Sequence, residues 1–359
     1  TIATLSHDGT VRLWNPKRRP HIRIAAHNDW VRSAVFSPVA GQYYVLSSSA
    51  DGTGRIWDLQ SGLLRQELRG HSQWVNSAVY SRDGKNIVTA SMDGTARVWS
   101  AESGRLLTTL TGHTDWIRYA EFSPNGEMIV TAGKDKTARI FSGAQWQKST
   151  PLLGHEGAVT SAVFSADGRE VLTASEDQTA RRFRVPDGGE IGRLDGHGDW
   201  VRHAVYSHDG KHILTASRDR TAVVWDLVPV GNAPNLGTPL WNEQRALTLR
   251  GHIGWVRHAV YSLSDTRILT AGADMTARLW DARLGTQLLV LTGHNGPVST
   301  AEFSPDGNYA VTAGRDGMVL IHALDPGILR RYGCSILRSL YNHPDAPKEE
   351  VDPLLSRCP

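Results

Sequence analysis

One dipeptide, Gly-His, returns along this chain with a nearly fixed period, and that period constrains the fold more than any other feature. The histidines of the Gly-His pairs are His71, His113, His155, His197, His252 and His294, and His27 of a related Ala-His pair precedes them. Successive members are 44, 42, 42, 42, 55 and 42 residues apart. A period of this length is typical of repeat proteins, in which each unit buries its faces against its neighbours.

Each unit carries the same series of short apolar segments and turns. After His71, the alternating segment VNSAVYS is followed by the turn RDGK, the segment NIVTAS, the tight turn MDGT and the segment ARVW. Alternation with a period of two, interrupted by Asp-Gly turns, predicts antiparallel β-strands. A fourth strand, such as LLRQELRG at 63–70, leads into the next Gly-His.

These segments form the motif GH…VxxAxxS…TAxxDxTAxxWD, which resembles that of the WD40-repeat family. The motif recurs seven times within residues 1–324. The resemblance implies an all-β fold, a β-propeller of four-stranded antiparallel blades. Near-identical repeats such as SPDGNYAVTAGRDG are also similar to the C-terminal sensor propellers of bacterial and fungal STAND-type NTPases and other multidomain signalling proteins.

The repeats predict how many blades the domain has. Residues 27–324 hold seven complete repeats, and residues 1–26 form a partial first blade. In that partial blade, TIATLSHDGTVRLWN supplies a second and a third strand without a first strand. We therefore expect eight blades, with seven as the alternative. Because the chain starts in the middle of a repeat, we also expect it to be a fragment of a longer protein.

The segment 325–359 is expected to form a C-terminal tail. Its apolar residues Ile328, Tyr332, Ile336 and Leu340 recur every four positions, which predicts a short helix that ends before Pro344. The alternative is that GILRRYGCSILRSLY supplies a degenerate outer strand and the inner strand that the first blade lacks.

The longest spacing, 55 residues, marks an insertion between Asp226 and Ala246. Its segment LVPVGNAPNLGTPLWNEQR is rich in Gly, Pro and Asn, which predicts a surface loop between the third and outer strands. We expect Trp241 to fix this loop to its blade.

The composition excludes several classes of protein. The 39 Lys and Arg residues against 36 Asp and Glu give a net charge of only +3, which disfavours nucleic acid as a partner. Only seven of these cations are lysine, and arginine favours acidic partners. No apolar stretch is long enough to span a membrane. Two cysteines, Cys334 and Cys358, are too few for a disulfide framework, which favours a cytoplasmic location.

A His, a hydroxyl, an Asp and an aromatic residue recur at fixed offsets in each unit. Such a set suggests a nucleophilic triad, but a catalytic set is needed once and this one returns with every repeat. The resemblance implies instead a structural tetrad that gives buried polar groups partners. The members in three complete units are His71, Thr89, Asp93, Trp99, His197, Thr215, Asp219, Trp225, His252, Thr270, Asp274 and Trp280. Phe141, Phe183 and His322 replace the Trp in three other units, which should weaken those tetrads.

Positions that the repeat leaves free are the candidates for binding. The third residue after the His is Trp in five units, the fifth is Arg in four, and the residue before the turn Asp adds further cations. In the family geometry these positions share the top face beside the central channel. The expected partner-binding residues are Trp30, Arg32, Trp74, Trp116, Arg118, Lys134, Trp200, Arg202, Arg218, Trp255, Arg257 and Arg315. Packing of Trp against Arg is the alternative, although Ala158 and Pro297 show that the repeat does not require a Trp there.

These observations predict a non-catalytic scaffold or sensor that binds a protein or peptide with acidic groups, attached to an effector domain upstream. The first alternative is a nucleic-acid-binding propeller. The second is an enzymatic propeller, for which Glu121 and Glu302 on the first strands are the candidate residues. Phosphate loops, dinucleotide fingerprints and metal-ligand spacings are absent from the sequence, so we expect no cofactor and no metal.

Overall fold

The computed structural model describes residues 2–5, 10–14, 22–25, 27, 29, 31–39, 44–58, 61, 63–232, 239–303, 307, 309–314 and 319–324. These residues form eight antiparallel sheets, six with four strands and two with three. Strands follow chain order within every sheet, so each sheet is a meander of adjacent hairpins.

The sheets are numbered 1 to 8 along the chain. Sheet 1 contains β1 (Ile2–Leu5), β2 (Thr10–Trp14) and β3 (Ile22–Ala25), and sheet 8 contains β28 (Val298–Phe303), β29 (Tyr309–Gly314) and β30 (Val319–Ala323). Sheet 2 contains β4 (Val31–Phe36), β5 (Tyr44–Ser49), β6 (Gly54–Asp58) and β7 (Leu64–Leu68). Sheet 3 contains β8 (Val75–Tyr80), β9 (Asn86–Ser91), β10 (Ala96–Ser100) and β11 (Leu106–Leu110). Sheet 4 contains β12 (Ile117–Phe122), β13 (Ile129–Gly133), β14 (Ala138–Ser142) and β15 (Lys148–Leu152).

The remaining three sheets repeat this plan. Sheet 5 contains β16 (Val159–Phe164), β17 (Glu170–Ser175), β18 (Ala180–Arg184) and β19 (Glu190–Leu194). Sheet 6 contains β20 (Val201–Tyr206), β21 (His212–Ser217), β22 (Thr221–Asn232) and β23 (Pro239–Arg250). Sheet 7 contains β24 (Val256–Tyr261), β25 (Arg267–Gly272), β26 (Ala277–Asp281) and β27 (Gln287–Leu291). A single turn of 3-10 helix, Ala144–Trp146, links β14 to β15.

The sheets are arranged as the blades of a closed propeller. The first strands of consecutive sheets, from β4 to β28, contact one another and form the inner wall of the ring. β1 contacts β4 on one side and β29 on the other, so sheet 1 lies between sheets 2 and 8. The expected all-β propeller is confirmed, and its eight sheets match the favoured blade count. The predicted helical tail at 325–359 lies outside the described residues.

The apolar core lies between neighbouring blades. One cluster joins Val163 and Leu172 of sheet 5 to Ile213 and Trp225 of sheet 6, and equivalent clusters join the other neighbouring pairs from sheet 2 to sheet 8. The second strands are buried almost throughout, because both of their faces pack against adjacent sheets. Buried and exposed side chains do not alternate regularly along the fourth strands, and residues such as Leu106 are exposed at the outer edge.

Side chains on the inner strands also reach the backbone of the next blade. Asn76 Nδ2 donates to the Ile117 carbonyl at 2.8 Å, and Thr160 Oγ1 donates to the Val201 carbonyl at 2.7 Å. His203 Nδ1 lies 3.2 Å from the Ala259 carbonyl. These bonds connect sheet 3 to 4, sheet 5 to 6 and sheet 6 to 7.

The insertion forms a β-hairpin, so the prediction of a surface loop at this place was wrong. β22 and β23 are each 12 residues long, and they remain paired as far as Asn232 and Pro239. The Gly, Pro and Asn residues of the segment are typical of loops, whereas its strands are defined by their pairing with each other, which composition does not reveal. Residues 233–238 and the side chain of Trp241 lie outside the described part of the chain.

A buried ion-pair network fixes the base of this hairpin to sheet 5. Arg182 is only 1% exposed and contacts Glu170 on its own sheet and Glu243 on β23. The Tyr206 hydroxyl donates to Glu170 Oε2 at 3.0 Å. Gly192 lies against this network, and a Cβ there would lie 1.8 Å from Glu243 Oε1, so a larger residue would displace the carboxylate that pairs with Arg182.

Candidate functional site

In the units of His71, His197 and His252, the His, Thr, Asp and Trp side chains are joined by a continuous series of hydrogen bonds. His71 Nδ1 lies 2.8 Å from Asp93 Oδ2, its Nε2 lies 2.8 Å from Thr89 Oγ1, and the Trp99 indole donates to the same hydroxyl at 2.9 Å. The sets around His197 and His252 have the same contacts within 0.2 Å. Around His27, Ser47 takes the place of the threonine.

Charge and burial determine which atoms of the hydrogen-bonded set around His71 carry protons. The carboxylate accepts only, so Nδ1 carries a proton and Nε2 of the neutral ring accepts from the hydroxyl. Burial lowers the pKa of His71, although Asp93 opposes the effect. Burial alone would raise the pKa of Asp93, but hydrogen bonds from Thr95 and His71 lower it to about 2. Thr89 is fully buried, so its hydroxyl has no access to a substrate.

A second threonine belongs to six of the sets, and sequence reasoning missed it. Thr95, two residues after Asp93, donates to Asp93 Oδ1 at 2.6 Å and lies 3.4 Å from His71 Nδ1. The recurring Asp-x-Thr was the signal that could have identified it. The equivalents are Thr53, Thr137, Thr179, Thr221 and Thr276.

Three units depart from the Trp. Phe141 and Phe183 keep the aromatic packing but provide no donor for the hydroxyls of Thr131 and Thr173. His322 keeps a polar contact, because its Nε2 lies 3.1 Å from Thr312 Oγ1.

The Asp turns and the Gly-His loops meet at one end of the ring. The backbone of Ser72, next to His71, donates to Asp93, and the backbone of Met92 donates to the Trp74 carbonyl. The same backbone bond joins Lys134 to Trp116 and Arg218 to Trp200. Consequently Lys134 and Arg218 lie beside the indoles of their own units.

The arginines two positions after these tryptophans occupy a β-bulge. Pairing between the first and second strands skips Arg32, Arg118, Arg202 and Arg257, and the unit of sheet 3 has Asn76 there. A bulge re-aims the side chain of its extra residue, and bulges are common beside binding sites. Sequence alone did not predict this irregularity.

We call the following residues the rim: Trp74, Trp116, Trp200, Trp255, Lys134, Arg218, Arg32, Arg118, Arg202 and Arg257. Lys134 Nζ lies 4.0 Å from the ring centroid of Trp116 and 3.6 Å from Asp115. The Arg32 guanidinium lies 5.7 Å from the centroid of Trp74, on the next sheet. The indoles remain part exposed. Trp30 and Arg315, which the sequence also placed in the rim, lie outside the described residues.

Arg218 connects two sheets. Its guanidinium carbon lies 4.2 Å from the centroid of Trp200 on sheet 6 and 3.9 Å from that of Trp255 on sheet 7. The alternative of Trp packing against Arg concerned the Arg two positions after each Trp, but in this pair of sheets the stacked cation is the residue before the turn Asp. A cleft of about 500 Å³ opens beside this stack.

Sheet 5 interrupts the rim. Ala158 replaces the Trp and is buried, and Glu176 before the turn Asp pairs with Arg118 of sheet 4 at 2.8 Å. The positive charge of Arg118 is therefore neutralised within the ring.

Comparison with known proteins agrees with this architecture. The sequence model of the WD domain, G-beta repeat, matches residues 18–58, 62–100, 104–142, 146–183, 188–226, 243–281 and 285–322. This chain belongs to the WD40-repeat family.

Relatives of this WD40 chain match over short stretches. The serine-threonine kinase receptor-associated protein of Gallus gallus is 33% identical over 103 residues, which are 27% of this chain and 29% of that protein. Coronin-7 of Mus musculus is 35% identical over 96 residues, 24% of this chain and 10% of that protein. Nuclear distribution protein PAC1-1 of Uncinocarpus reesii is 38% identical over 89 residues, 24% of this chain and 20% of that protein. The matches thus span less than a third of each relative.

The inner wall of the WD40 ring carries the remaining titratable candidates. Burial raises the pKa of Glu121 to about 7, although the Tyr119 hydroxyl and the Phe164 backbone both donate to it. His203 and His258 stack with centroids 4.3 Å apart, and burial lowers their pKa values to about 3 and about 4. The side chain of Glu302 is not described.

Two further features are absent from the described part of the chain. No group of three or more His, Cys, Asp or Glu residues there could hold a metal ion. No helix in that part is long and apolar enough to cross a membrane.

Proposed function

We propose that this WD40 propeller is a non-catalytic docking platform that binds a protein or peptide with acidic groups at the rim. The observation that carries the proposal is the set of part-exposed indoles, Trp74, Trp116 and Trp255, each stacked with a cation. They are 36%, 38% and 43% exposed. Trp and Arg side chains dominate the energetics of many protein interfaces, and a stacked guanidinium keeps its edge available for carboxylates.

The acidic residues among the rim cations favour a protein partner over nucleic acid. Asp115 lies 3.6 Å from Lys134, Asp199 lies 3.9 Å from Arg218, and Glu176 pairs with Arg118. These carboxylates would repel a phosphate backbone, whereas a protein partner with mixed charge can be complementary to both signs.

The wider setting of the platform is also part of the proposal. One relative is named for its association with a serine-threonine kinase receptor, which supports a role for this chain in binding other proteins. We infer a cytoplasmic signalling protein in which a domain attached to residues 1–324 acts as the effector. An enzymatic propeller has less support, because Glu121 is held by two donors from its own ring.

A peptide-display selection tests this function. Random dodecapeptides selected on the wild-type chain should be enriched in Asp and Glu, and they should bind a Trp74→Ala/Trp116→Ala variant at least about tenfold more weakly. The matched control is Leu106→Ala/Leu107→Ala, which removes exposed apolar side chains from the outer edge of sheet 3. Circular dichroism confirms that both variants are folded.

Two outcomes would contradict the proposal. Selected peptides that bind the double Trp variant as tightly as the wild type would exclude the rim as the binding surface. A selection enriched in Lys and Arg would exclude acidic partners.

A further inference from the structure

We propose that the cleft between sheets 6 and 7 binds one carboxylate side chain of an acidic peptide. This inference rests on the proposed docking function and assigns a specific subsite to it. The cleft is lined by the turn at 218–221, the loop at 250–252 and the neighbouring residues Asp199 and Trp255.

The stack of Trp200, Arg218 and Trp255 prepares a guanidinium for an anion. The guanidinium of Arg218 packs against both indoles, at 4.2 and 3.9 Å from their centroids, which restricts its orientation before any ligand arrives. Its Nε is buried without a hydrogen-bond partner, and the carboxylate of Asp199 is 3.9 Å away. Arg218 nevertheless lines the cleft, and a guanidinium held in this way is pre-organised to meet a carboxylate through its remaining nitrogens.

Arg220 supplies a second cation at a conformational cost. Its φ is +73°, in the left-handed region that side chains other than Gly rarely adopt. The equivalent turns of sheets 2 and 3 use Gly52 and Gly94 at this position. Lys136, Gln178 and Met275 also have a positive φ at this position in sheets 4, 5 and 7, so the turn accepts several side chains, and in sheet 6 the side chain present is an exposed cation that lines the cleft.

Arg250 supplies a third cation from the end of β23. Like Arg220 it is exposed, and neither residue forms an ion pair with any described residue. The two carboxylates that line the cleft, Asp199 and Asp219, reduce its formal charge from three positive to one positive. Although burial alone would raise the pKa of Asp219, hydrogen bonds from His197 and Thr221 lower it, so it stays charged. One positive charge matches a carboxylate better than a phosphate dianion.

The ring contains its own comparison for this assignment. A cleft of about 300 Å³ lies at the equivalent place between sheets 2 and 3, where its lining includes Ala50, Gly52 and Trp74 but no Arg or Lys. The backbone of the repeat therefore creates the cleft, and the side chains at 218, 220 and 250 make it cationic.

The test measures binding of fluorescein-labelled hexaglutamate to the wild-type chain and to Arg220→Gly. We expect the variant to bind about five- to tenfold more weakly, because a charge-assisted hydrogen bond is lost. Its melting temperature should be unchanged or higher, since glycine suits the left-handed turn. Lys136→Gly is the matched control: Lys136 is a cation at the same position of the sheet 4 turn, with a φ of +69°, and its removal should leave affinity unchanged.

The possible results separate the cleft from the rim. Equal weakening by Arg220→Gly and Lys136→Gly, or no binding of hexaglutamate by the wild type, would overturn the subsite. So would a phosphoserine peptide that binds about tenfold more tightly than hexaglutamate. Weakening by Arg220→Gly together with full binding by Trp74→Ala/Trp116→Ala would retain the cleft and reject the wider rim.

Discussion

The cleft between sheets 6 and 7 and the face shared by sheets 4 and 5 are built from the same repeat, yet Arg218, before a turn Asp, and Arg118, at a bulge, differ in what they contact. Arg218 lies between two indoles with no hydrogen bond at its Nε. Arg118 instead pairs with Glu176 at 2.8 Å, beside an alanine where other units have Trp. The number of cations on a surface is therefore a poor guide to anion binding, because the neighbours decide which cations remain available.

The largest expected effect is on the free energy of unfolding, through the His-centred hydrogen bonds that both regions contain. His197→Ala in sheet 6 and His155→Ala in sheet 5 should each lower the free energy of unfolding by about 2 to 4 kcal/mol, since each leaves a buried Asp and Thr without their His. Trp225→Phe copies the arrangement at Phe183 and should cost only about 1 kcal/mol. Urea unfolding measures all three.

Similar losses at both histidines would show that the regions differ at the rim and not in their scaffold. A change below about 0.5 kcal/mol at either His would instead contradict a structural role for that tetrad.

A smaller effect is a pH dependence of stability that arises from a carboxyl group in sheet 4, which has no counterpart at the same position in sheets 6 and 7. Glu121 on β12 occupies the position that is Val205 on β20 and Val260 on β24. Its pKa of about 7 in the folded chain is above its ordinary value of 4.5, so the folded state holds the proton more tightly than the unfolded state. The contribution of Glu121 to the free energy of unfolding should therefore be highest below about pH 4.5, fall as the pH rises to about 7 and then level off.

Glu121→Gln should remove this slope and stabilise the chain above pH 7, by an amount on the order of 2 kcal/mol. Thermal melts of wild type and variant at several pH values provide the measurement. Parallel pH profiles for the two proteins would show that another group is responsible.

The smallest effect is a gain of binding. Glu176→Gln removes the partner of Arg118 and should increase affinity for hexaglutamate by about two- to fivefold, because Arg118 then becomes available. Glu156→Gln is the control, since it removes an equal charge from an exposed neighbouring loop where no ion pair is formed. Fluorescence anisotropy measures both, and an equal gain in the two variants would indicate a general charge effect.

The sequence was sufficient for the fold because the period and the turns are local signals. The Gly-His spacing predicted the blades, and the position of Thr89 four residues before Asp93 predicted which hydroxyl contacts His71. The hairpin after Asp226 was harder to predict, because the added parts of β22 and β23 pair with each other and carry no apolar alternation.

The site was harder to predict because its contacts cross between blades. Offsets within one unit suggested that each Trp stacks with the Arg two positions later. In the structure Arg218 reaches Trp255, which is 37 residues away along the chain but lies on the adjacent sheet. The bulge at Arg202 likewise depends on strand pairing, which no single segment encodes.

The bonds between neighbouring inner strands have a consequence for how such a ring can evolve. Asn76, Thr160 and His203 each reach a backbone carbonyl of the following blade, not a side chain. Every blade offers that carbonyl whatever its sequence, so a blade that is duplicated or recombined into a new place finds an acceptor already present. The contacts between neighbouring inner strands are thus compatible with gene duplication. The rim residues remain free to diversify from one copy to the next.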